Sequence, residues 1–171
     1  GTFGTAIAKV FDMTVGSTGL NEKQLDRSKR PYRVVIVHSS SHAGYYPGSM
    51  PISLKVIFDP VDGRLLGAQA VGYQGVDKRI DMLSTFLVAG GSVADLSALE
   101  HAYAPPYSSA KDPVNIAGYI AENILAGISE HIQWHEIVEP KAANIFVLDV
   151  RTVEEHADGA VPGAVNIPVD E

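Results

Sequence analysis

Two loops rich in tyrosine, glycine and proline carry the residues of this chain best suited to chemistry. The first loop contains Tyr45 and Tyr46 side by side, and the second begins at Tyr103 and continues through two prolines to Tyr107. A phenol donates and accepts hydrogen bonds, so a tyrosine beside a redox centre can stabilise a thiolate or act as an acid. Loop tyrosines also pack their rings and leave the hydroxyl in water. Composition alone favours this packing interpretation.

The chain of 171 residues contains no cysteine. A disulfide framework, a thiolate metal site and a thiol nucleophile are therefore excluded within this sequence. His131 and His135 are four residues apart and could share a helix face as metal ligands, but a role as solvated linker residues is strongly favoured. His38 and His42 lie in or beside a serine-rich stretch and are interpreted in the same way. No metal site is predicted.

Composition and motifs also narrow the choice of partners. The sequence has no Gly-x-Gly-x-x-Gly turn and no Gly-x-x-x-x-Gly-Lys-Ser/Thr loop, so it predicts no nucleotide site of its own. The formal net charge of -7 opposes binding to phosphate backbones, so nucleic acid is not an expected partner. No apolar run approaches the roughly 20 residues that span a bilayer, and no secretory signal is visible. A cytoplasmic location without membrane binding is expected.

The elements before the first tyrosine loop show strand patterns around a short helix. Residues 5–14 are rich in β-branched and aromatic side chains and predict one strand, which leads into the glycine-containing segment 16–19. Asn21 is placed to cap a short helix. Residues 33–38 form a short apolar run that is typical of a buried strand. Two strands are therefore expected in this region.

A hairpin between the two tyrosine loops gives the clearest pattern. Apolar side chains alternate along residues 52–58, turn-forming residues occupy 59–63, and residues 64–72 return as a second strand. Gly63 suits the turn because glycine adopts a positive φ without steric cost. An antiparallel pair of strands is therefore predicted.

Helical periodicity follows the hairpin. Residues 76–87, 92–99 and 112–127 carry apolar side chains at helical spacing. Ser92 begins a Ser-x-x-Asp capping signal, and Asp112 precedes a proline that suits the first helical position. Strands followed by helices predict an α+β fold, in which helices pack on one side of an antiparallel sheet.

A polar stretch at residues 128–140 predicts a linker between two regions. Residues 1–127 hold the sheet and helix patterns, and residues 141–171 begin again with an apolar strand at 145–148. A Thr-x-x-Glu capping box then starts a short helix. One strand and one helix cannot close a core, so we expect this strand to be extended and buried against the first region or a second molecule.

Several segments of the first region resemble one enzyme family. Residues 5–12, 17–20, 42–48 and 103–123 are similar to the dimerisation domain of coenzyme A-disulfide reductases, which are pyridine nucleotide-disulfide oxidoreductases. The most specific segment is the run Tyr-Ala-Pro-Pro-Tyr-Ser-Ser-Ala-Lys-Asp-Pro that begins at Tyr103. The resemblance extends over roughly the whole first region and implies its α+β fold.

The second region resembles the beginning of a rhodanese-like domain. The similarity covers residues 145–168, from the Asp-Val-Arg strand end to the segment Pro-Gly-Ala-Val-Asn-Ile-Pro. The family motif Gly-His-Ile-Pro-Gly-Ala is replaced here by Gly-Ala-Val-Pro-Gly-Ala at residues 159–164. The family's sulfur-carrying cysteine lies downstream of Glu171. The resemblance therefore implies a truncated α/β rhodanese-like segment.

The first resemblance assigns roles to the loop tyrosines. In that family a cysteine of the FAD domain cleaves the substrate disulfide, and two tyrosines reach it from the other subunit's dimerisation domain. Carried over by motif, these are Tyr103 and one of Tyr45 or Tyr46, with Tyr45 preferred. Their implied role is to hold or protonate the leaving coenzyme A thiolate.

The resemblance also implies cofactors, substrates and a partner. The whole enzyme is expected to use FAD and NAD(P)H, to reduce coenzyme A disulfide, coenzyme A persulfide or polysulfide, and to form a homodimer. This chain alone is expected to bind neither cofactor and to be inactive. The alternatives are an NADH oxidase or peroxidase of the same family, and a stand-alone interaction module. The tyrosine loops argue against the first, because a small oxidant needs no phenol that reaches a coenzyme A thiolate.

Overall fold

The chain folds into two units, Gly1–Ser129 and Glu130–Glu171. The structure, a computed structural model, describes residues 2–138 and 145–169. The last two positions of the predicted linker and the first four of the predicted second region lie outside the described residues.

A five-stranded antiparallel sheet forms the frame of the first unit. Its spatial order places the first two strands at one edge and the third strand at the other, so that the predicted hairpin lies inside the sheet. The strands, in chain order, are β1 (Ala6–Val10), β2 (Met13–Gly19), β3 (Arg33–Ser40), β4 (Pro51–Phe58) and β5 (Leu65–Gly72), and the order in space is β1-β2-β5-β4-β3. The predicted hairpin is confirmed as β4 and β5.

The single strand predicted at residues 5–14 is wrong, because the chain reverses within it. Val10 pairs with Met13, and Phe11 between them takes a φ of 54°. Residues 16–19, which the prediction placed after this strand, belong to β2. Close packing favours glycine at position 16, because a Cβ there would lie 2.7 Å from Cγ1 of Ile80. The glycine therefore allows a helix to approach the strand closely.

Three helices follow the sheet strands, as predicted. They are α2 (Val76–Ala89), α3 (Val93–Ala98) and α4 (Pro113–Leu125). Helix α2 packs on β2 and β5, whereas α4 packs on β3 and β4 and contacts α3. One apolar core joins these helices to one face of the sheet, with buried side chains that include Val35, Leu54, Val56, Phe58, Ile80, Leu83, Leu96 and Val114. The predicted α+β fold is confirmed, with these three helices on one side of the sheet.

A shorter helix, α1 (Glu22–Ser28), belongs to a separate apolar cluster. Its Leu25 packs with Val34, Ile57 and Leu66, whose neighbours along the strands belong to the main core. Because side chains alternate between the faces of a strand, this cluster lies on the opposite face of the sheet. The predicted cap is confirmed, since Oδ1 of Asn21 accepts a hydrogen bond from the Gln24 amide at 3.0 Å.

The second unit contains short elements. They are α5 (Trp134–Val138), β6 (Leu148–Asp149), α6 (Val153–Asp158) and β7 (Val165–Asn166). Helix α5 lies within the predicted linker, which is therefore not wholly irregular. The capping box that starts α6 is confirmed by the hydrogen bond from the Glu155 amide to Oγ1 of Thr152, at 3.2 Å.

The strand predicted at residues 145–148 differs from β6 in both length and partner. β6 comprises two residues and pairs in parallel with β7, which the sequence analysis did not foresee. The amides of Val165 and Ile167 donate to the carbonyls of Val147 and Asp149 at 3.0 and 2.9 Å. Within the single chain the side chain of Phe146 is exposed. The local pairing of the strand therefore comes from later residues of the same chain.

Candidate functional site

The two tyrosine loops meet through the hydroxyls of Tyr45 and Tyr103. Their oxygen atoms lie 3.1 Å apart although the residues are 58 positions apart in sequence. Tyr45 is 77% exposed and Tyr103 is 47% exposed, so both phenols border solvent. Tyr46 instead packs its ring edge-on to His42, with a centroid distance of 5.9 Å. The structure therefore brings Tyr45, and not Tyr46, to Tyr103.

The contact between the phenols raises the pKa of Tyr103. The hydrogen bond with Tyr45, assisted by partial desolvation, raises the pKa of Tyr103 above its ordinary value of 10.0. Tyr103 is therefore a neutral phenol near pH 7. One hydroxyl of the pair donates to the other, and the accepting hydroxyl keeps its own proton for a third group. The pair can thus donate a hydrogen bond to an anion placed beside it.

The first loop connects β3 to β4 and is closed at its base by two hydrogen bonds. The amide of Ser41 donates to the Met50 carbonyl at 2.8 Å, and Oγ of Ser41 accepts from the Met50 amide at 3.1 Å. Within the loop, the Tyr46 amide donates to the Ala43 carbonyl at 2.9 Å. Tyr45 therefore projects from a hydrogen-bonded turn.

The second loop connects α3 to α4 and contains a similar turn. The amides of Tyr107 and Ser108 both donate to the Ala104 carbonyl, at 2.9 and 3.2 Å. Tyr103 immediately precedes this turn. The carbonyl of Ser108 accepts a hydrogen bond from the Ala43 amide at 3.1 Å, so the two turns are joined directly through their backbones.

A buried ion pair lies behind both loops. Arg79 of α2 is 1% exposed, and Asp112, the N-cap of α4, is fully buried. Nε of Arg79 donates to Oδ1 of Asp112 at 3.2 Å, and Nη2 donates to Oδ2 at 2.6 Å. Burial favours a higher pKa for Asp112, but the hydrogen bonds and charge of Arg79 outweigh it and hold the pKa below its usual range. Asp112 is therefore a carboxylate at neutral pH.

Arg79 is not among the functional residues predicted from the sequence. A signal was available, because Arg79 lies three residues after Val76 and four before Leu83, on the apolar face of α2. A charged residue on the buried face of a helix needs a charged partner. The pattern does not reveal that partner, since Asp112 was already explained as a helix cap.

The second unit contains a partly exposed polar cluster at the end of β6. Nε and Nη2 of Arg151 donate to the two carboxylate oxygens of Asp149 at 3.0 and 2.7 Å, and Nδ1 of His156 lies 3.0 Å from Oδ2. Hydrogen bonds from Arg151 first, and then from His156, lower the pKa of Asp149. Nδ2 of Asn166 in β7 donates to the Arg151 carbonyl at 2.8 Å. This cluster connects β6, α6 and β7.

Two of the histidines considered as metal ligands have other neighbours. Nδ1 of His38 hydrogen-bonds Oγ of Ser53 at 2.8 Å, and the ring of His135 packs against Trp134. Across residues 2–138 and 145–169, no three His, Asp or Glu side chains are grouped as a metal site would need. Over the same ranges, no helix has the length and apolar character to cross a membrane.

These observations agree with the family comparison. Residues 5–113, which include all five strands of the sheet and both tyrosine loops, match the pyridine nucleotide-disulphide oxidoreductase dimerisation domain. The chain belongs to this family.

Particular relatives are reductases of sulfur compounds. The coenzyme A disulfide reductase of Staphylococcus epidermidis is 45% identical over 122 residues, which cover 71% of this chain and 27% of that protein. The crystal structure of reduced Bacillus anthracis CoADR-RHD is 51% identical with a TM-score of 0.96, and the match covers 99% of this chain and 30% of that one. The structure of a NAD-dependent persulfide reductase from A. fulgidus is 41% identical with a TM-score of 0.88, and the match covers 100% of this chain and 31% of that one. The chain thus spans under a third of the length of these relatives.

Proposed function

We propose that this chain is the dimerisation domain of an FAD- and NAD(P)H-dependent reductase of coenzyme A disulfide, coenzyme A persulfide or polysulfide. The observation that carries the proposal is the exposed phenol pair, in which the hydroxyls of Tyr45 and Tyr103 lie 3.1 Å apart. The names of the relatives at 41–51% identity support this substrate class. An oxidase or peroxidase activity gains no such support from these relatives.

The phenol pair would act on the leaving sulfur. When a thiolate attacks a disulfide, one sulfur–sulfur bond forms, another breaks, and the departing sulfur carries a negative charge. Tyr45 and Tyr103 would stabilise that charge by hydrogen bonds, and the departing thiolate is then protonated to a thiol. A donor aimed at a developing anion is typically worth roughly 10²–10³ in rate. The attacking thiolate must come from outside this sequence, which has no cysteine.

The residues of this chain do not by themselves form a site that fits FAD or NAD(P)H. The sequence lacks the glycine-rich turn that approaches a pyrophosphate. In the polar clusters around Arg79 and Asp149, these two charged groups form ion pairs within their own cluster. We therefore propose that both cofactors bind to other parts of the enzyme.

We propose that the partner is a second copy of the chain. The family match supports self-association. The outer hairpin also leaves apolar side chains exposed, namely Ile7, Val10, Phe11, Met13 and Val15. Several exposed apolar side chains on one element are typical of an interaction surface in a soluble protein. In such a dimer each subunit would present its phenol pair to the reaction centre of the other.

We propose that residues 141–171 begin a rhodanese-like domain. The parallel pairing of β6 with β7 and the Asp149–Arg151 cluster at the end of β6 support this assignment. The Bacillus anthracis structure, which matches 99% of this chain, supports the occurrence of both regions in one protein. The domain limits at 1–127 and 128–140 and the cytoplasmic location remain predictions.

The test of the proposed function is Tyr103→Phe in the whole enzyme. We expect turnover on coenzyme A disulfide to fall by roughly 10- to 1,000-fold, with flavin content and dimer unchanged, because only a hydroxyl is removed. Tyr107→Phe is the matched control, since Tyr107 is an exposed tyrosine of the same loop. Equal activity in both variants would refute the catalytic role of the pair.

A further inference from the structure

We propose that Arg79 is a positioning residue for the phenol pair, because its buried ion pair with Asp112 joins the two loops that carry Tyr45 and Tyr103. The inference rests on the proposed function for its effect on turnover. The geometric part, that Arg79 controls the contact between the two hydroxyls, can be tested without it.

Arg79 reaches the first loop directly. Its Nη2 donates to the Ser41 carbonyl at 2.9 Å. Ser41 is buried and also closes the base of this loop by its hydrogen bonds with Met50. Tyr45 lies four residues further along the chain. A shift of the guanidinium would therefore move the base from which Tyr45 projects.

Arg79 reaches the second loop through Asp112. The Oδ2 atom that accepts from Arg79 also accepts from Oγ of Ser108, at 2.9 Å. Ser108 is fully buried, and its amide and that of Tyr107 fix the turn that follows Tyr103. The carboxylate thus holds the second loop, and the guanidinium holds the carboxylate.

The two branches meet again at the backbone. The Ala43 amide donates to the Ser108 carbonyl at 3.1 Å, which closes a ring of contacts behind the phenols. Its members are Arg79, Ser41, Ala43, Ser108 and Asp112. The ring fixes both loops relative to each other, whereas the single hydrogen bond between exposed hydroxyls is a weak constraint by itself.

A guanidinium suits this position better than an ammonium. Arg79 donates from Nε and Nη2 to Asp112, from Nη2 to Ser41, and from Nη1 to the Gly75 carbonyl at 3.2 Å. Lysine keeps the positive charge but offers a single donor atom and no planar fork. Arg79→Lys should therefore preserve charge balance while it loses the simultaneous contacts to both branches.

Stability alone is a poor explanation for this ion pair. Buried ion pairs are often no more stabilising than well-packed apolar side chains of similar volume. What an apolar pair cannot supply is directional bonds to two separate loops. The placement of Arg79 and Asp112 between the loops therefore favours a positioning role.

The test uses Arg79→Lys in the whole enzyme with three readouts. We expect kcat on coenzyme A disulfide to fall by roughly 10- to 100-fold while KM for the nicotinamide cofactor is unchanged, because displaced catalytic groups lower the rate of the chemical step. In enzyme labelled with 3-fluorotyrosine, the ¹⁹F resonance of Tyr103 should titrate at a lower pH than in the unsubstituted enzyme. In a Tyr45→Phe/Tyr103→Phe background, Arg79→Lys should cause little further loss of kcat.

Two further variants separate positioning from general destabilisation. Leu25→Ala removes a buried side chain from the cluster on the opposite face of the sheet, and should lower Tm without these effects. Ser108→Ala keeps the ion pair but removes its hydrogen bond to the second loop, and should show a smaller change in the same direction. It also serves as the test if Arg79→Lys does not fold.

Three results would overturn the inference. The first is an unchanged Tyr103 titration in both Arg79→Lys and Ser108→Ala. The second is a loss of kcat in Leu25→Ala as large as that in Arg79→Lys, and the third is an undiminished loss of kcat when Arg79→Lys is added to the Tyr45→Phe/Tyr103→Phe enzyme. If Tyr103→Phe leaves turnover unchanged, the proposed function fails. A shifted Tyr103 titration in Arg79→Lys would still support the positioning role.

Discussion

Gly75 lies directly against the guanidinium of Arg79, and a Cβ at Gly75 would be 2.2 Å from Nη1. Gly75 also takes a φ of +71° at the N-cap of α2, where side chains are disfavoured. Two separate constraints thus favour glycine at this position. Gly90, at the C-cap of the same helix, has a φ of +72° and nothing within 4 Å of the added Cβ.

The two glycines provide a matched pair of substitutions. Gly90→Ala should cost about 1–2 kcal/mol in the free energy of unfolding, since only the left-handed backbone is strained. Gly75→Ala carries the same strain and also displaces Arg79 from Asp112, so its cost should be clearly larger. Urea unfolding of both variants under the same conditions measures the difference. Equal costs would show that the guanidinium is free to move.

The Arg79–Asp112 pair predicts loss of stability in acid. The pKa of Asp112 is lower in the folded chain than its ordinary value of 3.8. Between the two values the unfolded chain binds the proton that the folded chain excludes, so the pair's contribution is present above about pH 4 and is lost as pH falls through the folded pKa. We expect the unfolding free energy of the first unit to decrease below about pH 4.

Asp112→Asn should flatten this pH dependence. It should also lower the free energy of unfolding at pH 7, since removal of one partner of a buried ion pair typically costs about 3–5 kcal/mol. Asp59→Asn is a useful comparison, because Asp59 is partly exposed and lies 3.4 Å from Nη2 of Arg30. Solvent screens such a pair, so Asp59→Asn should change the pH dependence of the unfolding free energy less than Asp112→Asn does. Urea midpoints between pH 2 and pH 7 measure both effects. Indistinguishable slopes would argue against charge on Asp112 as the cause.

The phenol pair predicts coupled effects of substitution. Tyr45→Phe and Tyr103→Phe should each lower turnover of the whole enzyme, and the double variant should lose more than either alone but less than the product of the two. Each hydroxyl orients the other, so the first substitution already weakens the second donor. Steady-state kinetics of the four proteins on coenzyme A disulfide provide the cycle. Strictly multiplicative losses would indicate that the hydroxyls act independently.

The exposed outer hairpin predicts self-association. We expect this chain to form a two-fold dimer at micromolar concentration, because Ile7, Val10 and Phe11 would otherwise remain in water. Light scattering gives the mass. Phe11→Ser tests whether the hairpin takes part, with Val61→Ser, which replaces an exposed apolar residue of the β4–β5 turn, as its control. A monomer for the unsubstituted chain would refute the prediction.

The pairing of β6 with β7 predicts slow hydrogen exchange in the second unit. The amides of Val165 and Ile167 donate within this pair, so they should exchange more slowly than that of Val161 nearby. Asn166→Ala should speed their exchange, because Nδ2 of Asn166 bonds the carbonyls of Asp149 and Arg151. Equally fast exchange throughout 147–167 would show that the pair does not form in solution.

The sequence determined the local elements because their causes are local. A cap at Asn21 or Asp112 acts within three residues, and alternation along residues 52–58 predicts a strand without knowledge of its neighbours. The misassigned segment is the hairpin of β1 and β2. There the chain turns at Phe11, a residue for which a positive φ is not predicted from composition.

Only the tertiary structure decided how the site is assembled. Motif resemblance left Tyr45 and Tyr46 open, and the choice follows from a contact between residues 58 positions apart. Arg79 was likewise absent from the sequence interpretation, since its partner Asp112 is 33 residues away and its own helix has no acidic residue three or four positions from it. The type and spacing of residues restrict their chemistry. Which side chains form an ion pair or a hydrogen bond depends on distances that the folded backbone sets.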